Sequence, residues 1–459
     1  MFIMIGEDAI LEVLSDWNLW GSFDVPLKSR RIYLGILKEF LGGREAVVVK
    51  GVRRAGKSSL TILLLKHLQE LGWITVKDAL IVNLEDPRFP STLSSEDLLR
   101  IYQVYLKKLS PSSNHVVVLD EVQVVKGWER FVRYLLEAKG VKVVVTGSSS
   151  KLMGEEYASS LTGRHVDVEV FPLSFHEYLE FKGLALTGEL DAVRERHRVE
   201  FLLDEYVYLG GFPEVVLAES RVRKAELLRR YFEDIIVKDV VKRYRVKHVH
   251  KLEELAKIFL TNVSMLQSLN RIRKTLNLSL DTVERFSKYL ETARLVFFIP
   301  RFGFSLKQRI LTPKKVYAID TGLASTLGFR TAENYGQYME NVVAVELLRR
   351  KTWNPRIEIY YWRDHQQREV DFLLKEGGAV KHLIQVCYAS DRDEVPRREE
   401  RSLMKAMEEL HLKHATIITK SYQEEREEQG LTVRFIPIWR WILQEAFSPN
   451  QPTKTKSMC

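Results

Sequence analysis

Cysteine is nearly absent from this chain of 459 residues, which has only Cys387 and Cys459. Two cysteines exclude the multi-bridge framework of a small secreted domain and a zinc site built from cysteines. Long apolar runs are missing too, because the longest stop at about ten residues and a membrane helix needs roughly 18–20. Acidic residues occur early, at Glu7, Asp8 and Glu12, where a secretory signal would be apolar. These absences predict a large soluble cytoplasmic protein without a membrane segment.

The remaining composition is that of an ordinary globular protein, with 45% hydrophobic and 29% charged residues. At roughly 150 residues per domain, the length predicts about three domains. The net charge of +9 is mild, but residues 271–315 hold 11 Lys or Arg against 3 Asp or Glu. Such a surplus is typical of a phosphate-binding surface and also of a solvated basic face, so both interpretations stay open.

The first part of the chain alternates between strand and helix patterns. Buried strands are predicted at residues 46–49, 80–84, 116–119, 141–145 and 166–170, with a helix at 58–71. Strands that alternate with helices form parallel sheets in α/β domains. After Pro172 the pattern becomes helical, at residues 175–182, 194–209 and 221–243. An α/β core followed by a helical segment is therefore expected.

The second part begins with helix–turn–helix spacing. Helices are predicted at residues 252–260, 267–276 and 280–290, and Ser279 is placed to cap the third. Apolar pieces at 295–299 and 316–319 predict a β-wing. A second α/β unit follows, with a helix at 340–351 and strands at 357–362, 369–374, 382–388 and 415–419. The polar tail, residues 448–459, is predicted to be disordered.

The strongest motif is a phosphate-binding loop at residues 51–58, which matches G-x-x-x-x-G-K-[ST] between a predicted strand and a helix. Glycines let backbone N–H groups surround an anion, and the helix N-terminus adds partial positive charge. Lys57 is expected to reach the β- and γ-phosphates of ATP, and Ser58 to hold Mg²⁺. The predicted nucleotide-binding residues are Gly51, Arg53, Arg54, Ala55, Gly56, Lys57, Ser58 and Ser59.

Two acidic residues end the third predicted strand. A carboxylate at the tip of such a strand can hold Mg²⁺, so Asp120 is predicted to be a metal residue together with Ser58. The next residue, Glu121, is predicted to act as the base that deprotonates or orients an attacking water.

Hydroxyl groups follow the fourth predicted strand. Thr146, Ser148 and Ser149 are all candidates to sense the γ-phosphate or hold the attacking water, and Ser148 is assigned to the catalytic set. Arg164 precedes the fifth strand, and an arginine delivered across a subunit contact would stabilise charge on the transferring phosphate. The alternative for Arg164 is an ordinary surface residue.

The order of these motifs resembles the P-loop ATPases of the AAA+ class, specifically the archaeal and bacterial group that carries a C-terminal domain of unknown function, near the STAND signalling ATPases. The resemblance implies an αβα core (residues 1–172), a helical lid (173–250), a winged helix (251–330) and a homo-oligomer. It also implies that Pro213, in the motif at 209–214, lies near the adenine, and that Arg164 is the arginine that acts in trans.

The last unit, residues 331–447, resembles the PD-(D/E)xK fold of restriction endonucleases. Glu340, Asp371 and Gln385 fall on the positions that hold Mg²⁺ in an active member, but Cys387 stands where the water-activating lysine is needed. A base that migrated from the helix at 397–405 is the alternative. The interpretation is a nuclease-like domain without nuclease activity.

Together these features predict a Mg²⁺-dependent ATPase that binds ATP and ADP and whose nucleotide cycle changes how its C-terminal half engages DNA or protein. DNA would be bound by the basic segment 271–315, with Arg271, Arg273, Lys274, Arg301 and Lys307 as phosphate contacts. The acids Asp281 and Glu284 argue against base reading by the third helix, and a protein-binding role for this domain is the alternative. A slow STAND-like switch and an ATP-regulated nuclease are the rival functions.

Overall fold

The computed structural model describes residues 6–23, 25–90, 92–148, 161, 163–303, 312–329 and 334–446. The predictions for Ser149, Lys307 and the tail 448–459 lie outside these residues. The chain divides between Val170 and Phe171 into two compact units. Within the described ranges, no helix combines the length and the apolar character needed to cross a membrane.

The first unit is built on a parallel five-stranded sheet, which confirms the predicted α/β core. Its strands are β1 (Ala46–Gly51), β2 (Ala79–Asn83), β3 (Val116–Asp120), β4 (Lys142–Ser148) and β5 (His165–Val170). Their order is β2-β3-β4-β1-β5. The β-branched runs are buried on both faces, as expected for a parallel sheet covered by helices. All five strands point the same way, so their carboxyl ends meet at one edge of the sheet.

Helices flank this sheet. They are α1 (Glu7–Ser15), α2 (Arg31–Leu41), α3 (Lys57–Glu70), α4 (Ser95–Leu109) and α5 (Trp128–Tyr134), and a π-helical turn follows at Leu135–Lys139. Of these, only α3 was predicted. The buried side chain of Asn18 fixes the N-terminal segment, because it donates to Ile81 O (2.8 Å) and accepts from Ile81 N (2.7 Å) on the β2 edge.

The second unit opens with a helical segment. Its helices are α6 (Phe175–Phe181), α7 (Glu189–Arg194), α8 (Arg196–Leu209), α9 (Pro213–Leu217) and α10 (Arg221–Asp234). The last continues through a π-helical stretch, Ile235–Val241, to a final turn at Lys242–Tyr244. The segment 221–243 is thus helical throughout, as its pattern predicted.

Three helices and three short strands follow, in the order helix–strand–helix–helix–strand–strand, and the three strands form a small sheet. The helices are α11 (Val249–Thr261), α12 (Leu269–Leu276) and α13 (Leu280–Thr292), and the strands are β6 (Leu266–Gln267), β7 (Val296–Ile299) and β8 (Lys314–Ala318). The antiparallel sheet has the order β6-β8-β7. Ser279 caps α13 as predicted, since its hydroxyl accepts from Thr282 N at 3.2 Å.

The chain then forms α14 (Thr321–Leu327) and the long helix α15 (Tyr335–Trp353). Asp320 caps α14 and also binds the backbone of the loop before Pro213. Its buried carboxylate accepts from Gly322 N (2.9 Å) and from Gly211 N (2.7 Å). Burial raises the pKa of Asp320 to about 7, although these backbone hydrogen bonds lower it. The loop before Pro213 is therefore held by a residue more than one hundred positions later in the chain.

A mixed six-stranded sheet completes the second unit. Its strands are β9 (Ile357–Arg363), β10 (Glu369–Glu376), β11 (Ala379–Val386), β12 (His414–Thr419), β13 (Glu424–Glu428) and β14 (Leu431–Pro437). They lie in the order β13-β14-β12-β11-β10-β9. The accompanying helices are α16 (Arg397–Glu409) and α17 (Ile438–Ala446). The four predicted strands are present, while β13, β14 and α17 were not predicted.

Candidate functional site

The phosphate-binding loop lies at the carboxyl edge of the parallel sheet, between β1 and α3. Gly51 has φ +155°, and a Cβ there would lie 2.1 Å from Val170 O on the neighbouring strand, so only glycine fits. Gly56 precedes α3 with φ +90°. Lys57 is buried, and its Nζ donates to the backbone oxygens of Gly51 (3.3 Å) and Val52 (3.1 Å). The ammonium is thus held beside the loop that the sequence predicts to enclose phosphate.

The predicted magnesium residues meet at this edge. Ser58 Oγ donates to Asp120 Oδ1 at 2.9 Å, and the Thr146 hydroxyl donates to the same oxygen. Thr146 Oγ1 also accepts from Glu121 N at 3.0 Å. One hydroxyl on β4 therefore fixes both the carboxylate that ends β3 and the backbone of the residue after it.

Asp120 is a buried carboxylate whose charge needs compensation. Burial raises the pKa of Asp120 above its ordinary value, and Glu121 adds to this, while hydrogen bonds from Thr146 and Ser58 and the nearby Lys57 charge lower it. A hydroxyl and a carboxylate side by side are the hard oxygen ligands that Mg²⁺ prefers. The donor set at Ser58 and Asp120 therefore fits the predicted metal.

Glu121 occupies an unusual backbone position. Its φ of 55° lies in the left-handed region, which is uncommon for a non-glycine residue and concentrates at functional turns. The side chain is half-buried, and Gln123 Nε2 donates to Glu121 Oε2 at 2.5 Å. Gln123, for which no role was predicted, restrains the predicted base.

Ser148 and Arg164 lie at opposite ends of the parallel strands. Ser148 is at the carboxyl ends and Arg164 is at the amino ends. Ser148 ends β4 and pairs with Gly51, next to the phosphate-binding loop. Arg164 precedes β5, at the edge where Ala46 begins β1. Six residues of strand at ~3.3 Å each separate that edge from Gly51, so Arg164 is not part of the phosphate site of its own chain. Its exposed side chain pairs with Glu137 at 2.7 Å.

Arg30 is a further site residue that the sequence analysis missed. Its buried guanidinium donates to Ala55 O, inside the phosphate-binding loop, at 2.9 Å and lies 4.5 Å above the Tyr33 ring. Arg53 and Arg54, which were predicted to contact nucleotide, are half-buried and exposed respectively. No motif identifies Arg30, because it precedes the loop by about twenty residues in an unpatterned segment.

The positions predicted for an inactive nuclease pocket do converge in the second unit. Asp371 lies on β10 and Gln385 on β11, and Asp371 N donates to Gln385 Oε1 at 3.2 Å. Asp371 Oδ2 accepts from Val386 N at 2.9 Å. Cys387 is buried in the hydrophobic core beside this pair, and burial raises the pKa of its thiol. Glu340, on α15, belongs to the same cluster, because Lys315 Nζ donates hydrogen bonds to both Glu340 and Asp371.

Lys315 corrects the prediction that the whole segment 271–315 forms a DNA-binding surface. Its side chain is buried and its Nζ lies among the carboxylates of Glu340, Glu369 and Asp371. Arg301 is also engaged, since its guanidinium donates to Arg363 O. Burial, reinforced by the charge of Asp371, raises the pKa of Glu340 to about 8.

The helix α16 contributes an acid to this region. Glu399 is half-buried, and burial followed by the charge of Asp371 raises its pKa to about 7, while hydrogen bonds with Cys387 and Gln385 lower it. The alternative of a base that migrated from α16 stays a hypothesis: the α16 group next to Gln385 is the carboxyl of Glu399, and the cation of the cluster, Lys315, comes from β8.

Within the described part of the segment 271–315, most of the exposed basic residues lie on α12 and α13, and Lys314 on β8 is also exposed. Arg271 and Lys274 are exposed and Arg273 is half-buried. On α13 the charged residues point outward as expected, whereas Val283, Phe286 and Leu290 are buried. This face carries the remaining positive charge that the sequence analysis associated with phosphate contacts.

Three family models match consecutive parts of the chain. Residues 43–179 match an AAA domain (AAA_14), residues 200–334 a domain of unknown function (DUF8612), and residues 335–441 another (DUF4143). The first unit therefore carries a P-loop AAA domain, as the motifs predicted. A domain of this class supports nucleotide binding and hydrolysis in general.

An uncharacterized protein of Methanocaldococcus jannaschii, MJ1544, is 30% identical over 410 residues, which is 86% of this chain and 88% of that protein. The chain belongs to the same family as this archaeal protein. An uncharacterized Haemophilus influenzae protein is 29% identical over 423 residues, 90% of this chain and 98% of that one. The Walker-type ATPase PABY2304 of Pyrococcus abyssi has 15% identity and a TM-score of 0.43, with 68% of this chain and 97% of that chain covered.

Thr146→Val tests the network around Asp120. The change removes the hydroxyl that holds Asp120 and leaves Glu121 N without its acceptor. We expect turnover of ATP to fall by about tenfold, equivalent to about 1.4 kcal/mol in the barrier, with a smaller change in ATP affinity. Thr146→Ser, which keeps the hydroxyl, is the matched control. If steady-state kinetics show equal turnover for Thr146→Val and wild type, this network does not support hydrolysis.

Proposed function

We propose that this chain is a Mg²⁺-dependent ATPase that hydrolyses ATP to ADP and phosphate. The observation that carries the proposal is the contact of Ser58 Oγ with Asp120 Oδ1 at the carboxyl edge of the sheet, beside the buried ammonium of Lys57. A hydroxyl from the phosphate loop and a carboxylate from β3 would hold Mg²⁺, which when bound offsets phosphate charge. The AAA domain match supports nucleotide as the ligand.

Each side chain has a distinct role in this proposal. Lys57 stabilises charge on the β- and γ-phosphates, and Glu121 takes a proton from the attacking water or orients it. Ser148 pairs with Gly51, and from there its hydroxyl would contact the γ-phosphate. Pro213 is the adenine-side residue that the resemblance to AAA+ proteins implies. The nucleotide cycle then changes how the C-terminal half engages DNA or protein.

Arg164 completes the site from a neighbouring subunit. Its place at the opposite edge of its own sheet supports a role in trans, because that edge lies away from the phosphate loop of the same chain. The ion pair with Glu137 is exposed, and exposed pairs are worth about 1 kcal/mol or less, so the arginine can be released at low cost. The chain would therefore hydrolyse ATP as a homo-oligomer.

A slow nucleotide-dependent switch is the second candidate function. The contact between Gln123 and Glu121 favours it, since an amide that holds a carboxylate oxygen competes with an attacking water for that oxygen. In this case the chain would bind ATP tightly, hydrolyse it slowly and signal by its nucleotide state. The two candidates use the same site and differ in turnover rate.

Paired variants at Lys57 and Glu121 test the proposed ATPase. Lys57→Ala removes the cation beside the loop and should abolish tight ATP binding. Glu121→Gln keeps the shape but not the basicity, so it should bind ATP normally and hydrolyse it at least about tenfold more slowly. Equilibrium nucleotide binding and phosphate release measure the two effects, with Glu96→Gln, an exposed change on α4, as control. Wild-type hydrolysis by Glu121→Gln would remove Glu121 as the base.

Subunit mixing tests the role of Arg164. Arg164→Ala should bind ATP with near-normal affinity and turn it over slowly. Mixed with Lys57→Ala subunits it should recover part of the activity, because hybrid contacts pair an intact phosphate loop with an intact arginine. The rate of phosphate release in mixtures shown to exchange subunits is the measurement. Absence of recovery there contradicts action in trans, and full activity of Arg164→Ala removes the residue from the site.

Salt dependence tests DNA binding by the basic face. Each neutralised phosphate contributes about 0.9 to the slope of log affinity against log salt, so replacing Arg271, Arg273 and Lys274 with Ala should flatten the slope by up to about 2.7. Fluorescence anisotropy with duplex DNA measures it. The control removes three exposed charges elsewhere in the unit, at Lys351, Arg356 and Lys413. An equal slope change in both triple variants would indicate a diffuse charge effect instead.

A further inference from the structure

The carboxylates of the nuclease-like pocket converge on one side chain. Lys315 Nζ lies 3.1 Å from Glu340 Oε1, 2.9 Å from Glu369 Oε1 and 2.7 Å from Asp371 Oδ1. The lysine side chain is 3% exposed, and Asp371 is 9% exposed. The pocket therefore holds a fixed cation that belongs to the chain itself.

The geometry suits an ammonium group better than a metal ion. A lysine ammonium has three N–H donors, and three carboxylate oxygens surround this one. Their distances from Nζ are those of charge-assisted hydrogen bonds, whereas Mg²⁺ requires oxygens at about 2.0–2.1 Å. Nζ donates hydrogen bonds to Glu340 and Asp371, and Glu369 adds an ion pair, so each of the three acids engages the ammonium. Within the described residues, no group of three or more His, Cys, Asp or Glu is arranged to hold a metal.

The strand that carries Lys315, β8, makes further contacts with the same pocket. Tyr317 follows on the same face of β8, and its hydroxyl donates to Glu340 Oε1 at 2.7 Å. The Asn341 side chain accepts from Ala318 N (2.8 Å) and donates to Ala318 O (2.9 Å), in the manner of a neighbouring strand. β8 thus joins the three-stranded sheet to α15 and to the six-stranded sheet.

We propose that Lys315 is the resident cation of this pocket, occupying the place of a divalent metal and converting a nuclease-like site into an ionic joint between the small sheet and the C-terminal sheet. The fixed ammonium provides a reason for the missing lysine at position 387, since the acids serve to hold β8. A pocket of this kind binds no divalent metal and cleaves no nucleic acid. The proposal does not depend on ATP hydrolysis.

Lys315→Met tests the proposal, because methionine keeps most of the length of the unbranched side chain and removes the charge. Without the ammonium, three carboxylates face one another, so the variant should melt at lower temperature than wild type. A divalent cation should then enter, with Mn²⁺ binding at least about tenfold tighter than in wild type and raising the melting temperature. Nucleotide-free protein is titrated with Mn²⁺ and followed by electron paramagnetic resonance and thermal denaturation.

Two further variants test whether the lost stability and the gained Mn²⁺ binding come from removing the charge of Lys315. Lys314→Met changes the exposed neighbour on the same strand and should behave as wild type. Lys315→Met with Asp371→Asn should lose the gained Mn²⁺ site and be more stable than Lys315→Met alone. If Lys315→Met does not fold, the comparison of wild type with Asp371→Asn still tests the proposal. Both should show the same Mn²⁺ binding, because the pocket of the wild-type chain holds no divalent metal.

Two results would overturn the proposal. The first is a Mn²⁺ ion bound by the wild-type chain and lost in Asp371→Asn, which would make the pocket a metal site with lysine beside it. The second is metal-dependent nicking of DNA by wild type that disappears in both Asp371→Asn and Lys315→Met. That outcome would show that Lys315 replaces the catalytic lysine of the nuclease fold.

Discussion

The buried carboxylate of Asp120 is the constraint on which the nucleotide site depends. A charge in the interior is costly unless hydrogen bonds and a cation compensate it, and burial does raise the pKa of this group. Ser58 from the phosphate loop and Thr146 from β4 both point their hydroxyls at it. The parallel order β3-β4-β1 brings these three elements to one edge. The sheet therefore positions the side chains that we propose to hold Mg²⁺ and phosphate.

The second unit meets a similar electrostatic problem with a different solution. Glu340, Glu369 and Asp371 also lie close together in a largely buried pocket, but the cation comes from Lys315 on a neighbouring strand. A permanent internal ion pair holds two substructures together, whereas a site that awaits Mg²⁺ and nucleotide responds to ligand. We propose that the first unit cycles with nucleotide, whereas the C-terminal pocket keeps the ammonium of Lys315 and has a structural role.

Local patterns predicted what local chemistry determines. The loop at residues 51–58 and the β-branched strands on either side have signals within a few positions, and the structure places them as expected. The strand β13 gave no signal because all five of its residues are exposed and polar. Helices α1 and α2 lie in a segment without a motif. Fold class and phosphate loop were therefore predictable from sequence, while these peripheral elements were not.

Contacts between distant positions could not be predicted in this way. Lys315 and Asp371 are 56 positions apart, and no spacing rule relates a basic residue on one strand to an acid on another sheet. Lys315 was consequently predicted to be part of a DNA-binding surface. Arg30 and Asp320 are similar cases, since each acts on a loop far along the chain. Such partners can be identified only from the folded structure, where packing excludes water and a buried charge or N–H group needs a hydrogen-bond partner within the protein.

Steady-state ATP hydrolysis by the full chain, with and without duplex DNA and alongside its molar mass in solution, tests the account most directly. We expect Mg²⁺-dependent turnover by an oligomer, with a rate that rises when DNA is added. Slow turnover by a monomer, indifferent to DNA, would favour the nucleotide switch. Absence of both ATP binding and hydrolysis would contradict the central claim that Ser58, Asp120 and Lys57 form a working nucleotide site.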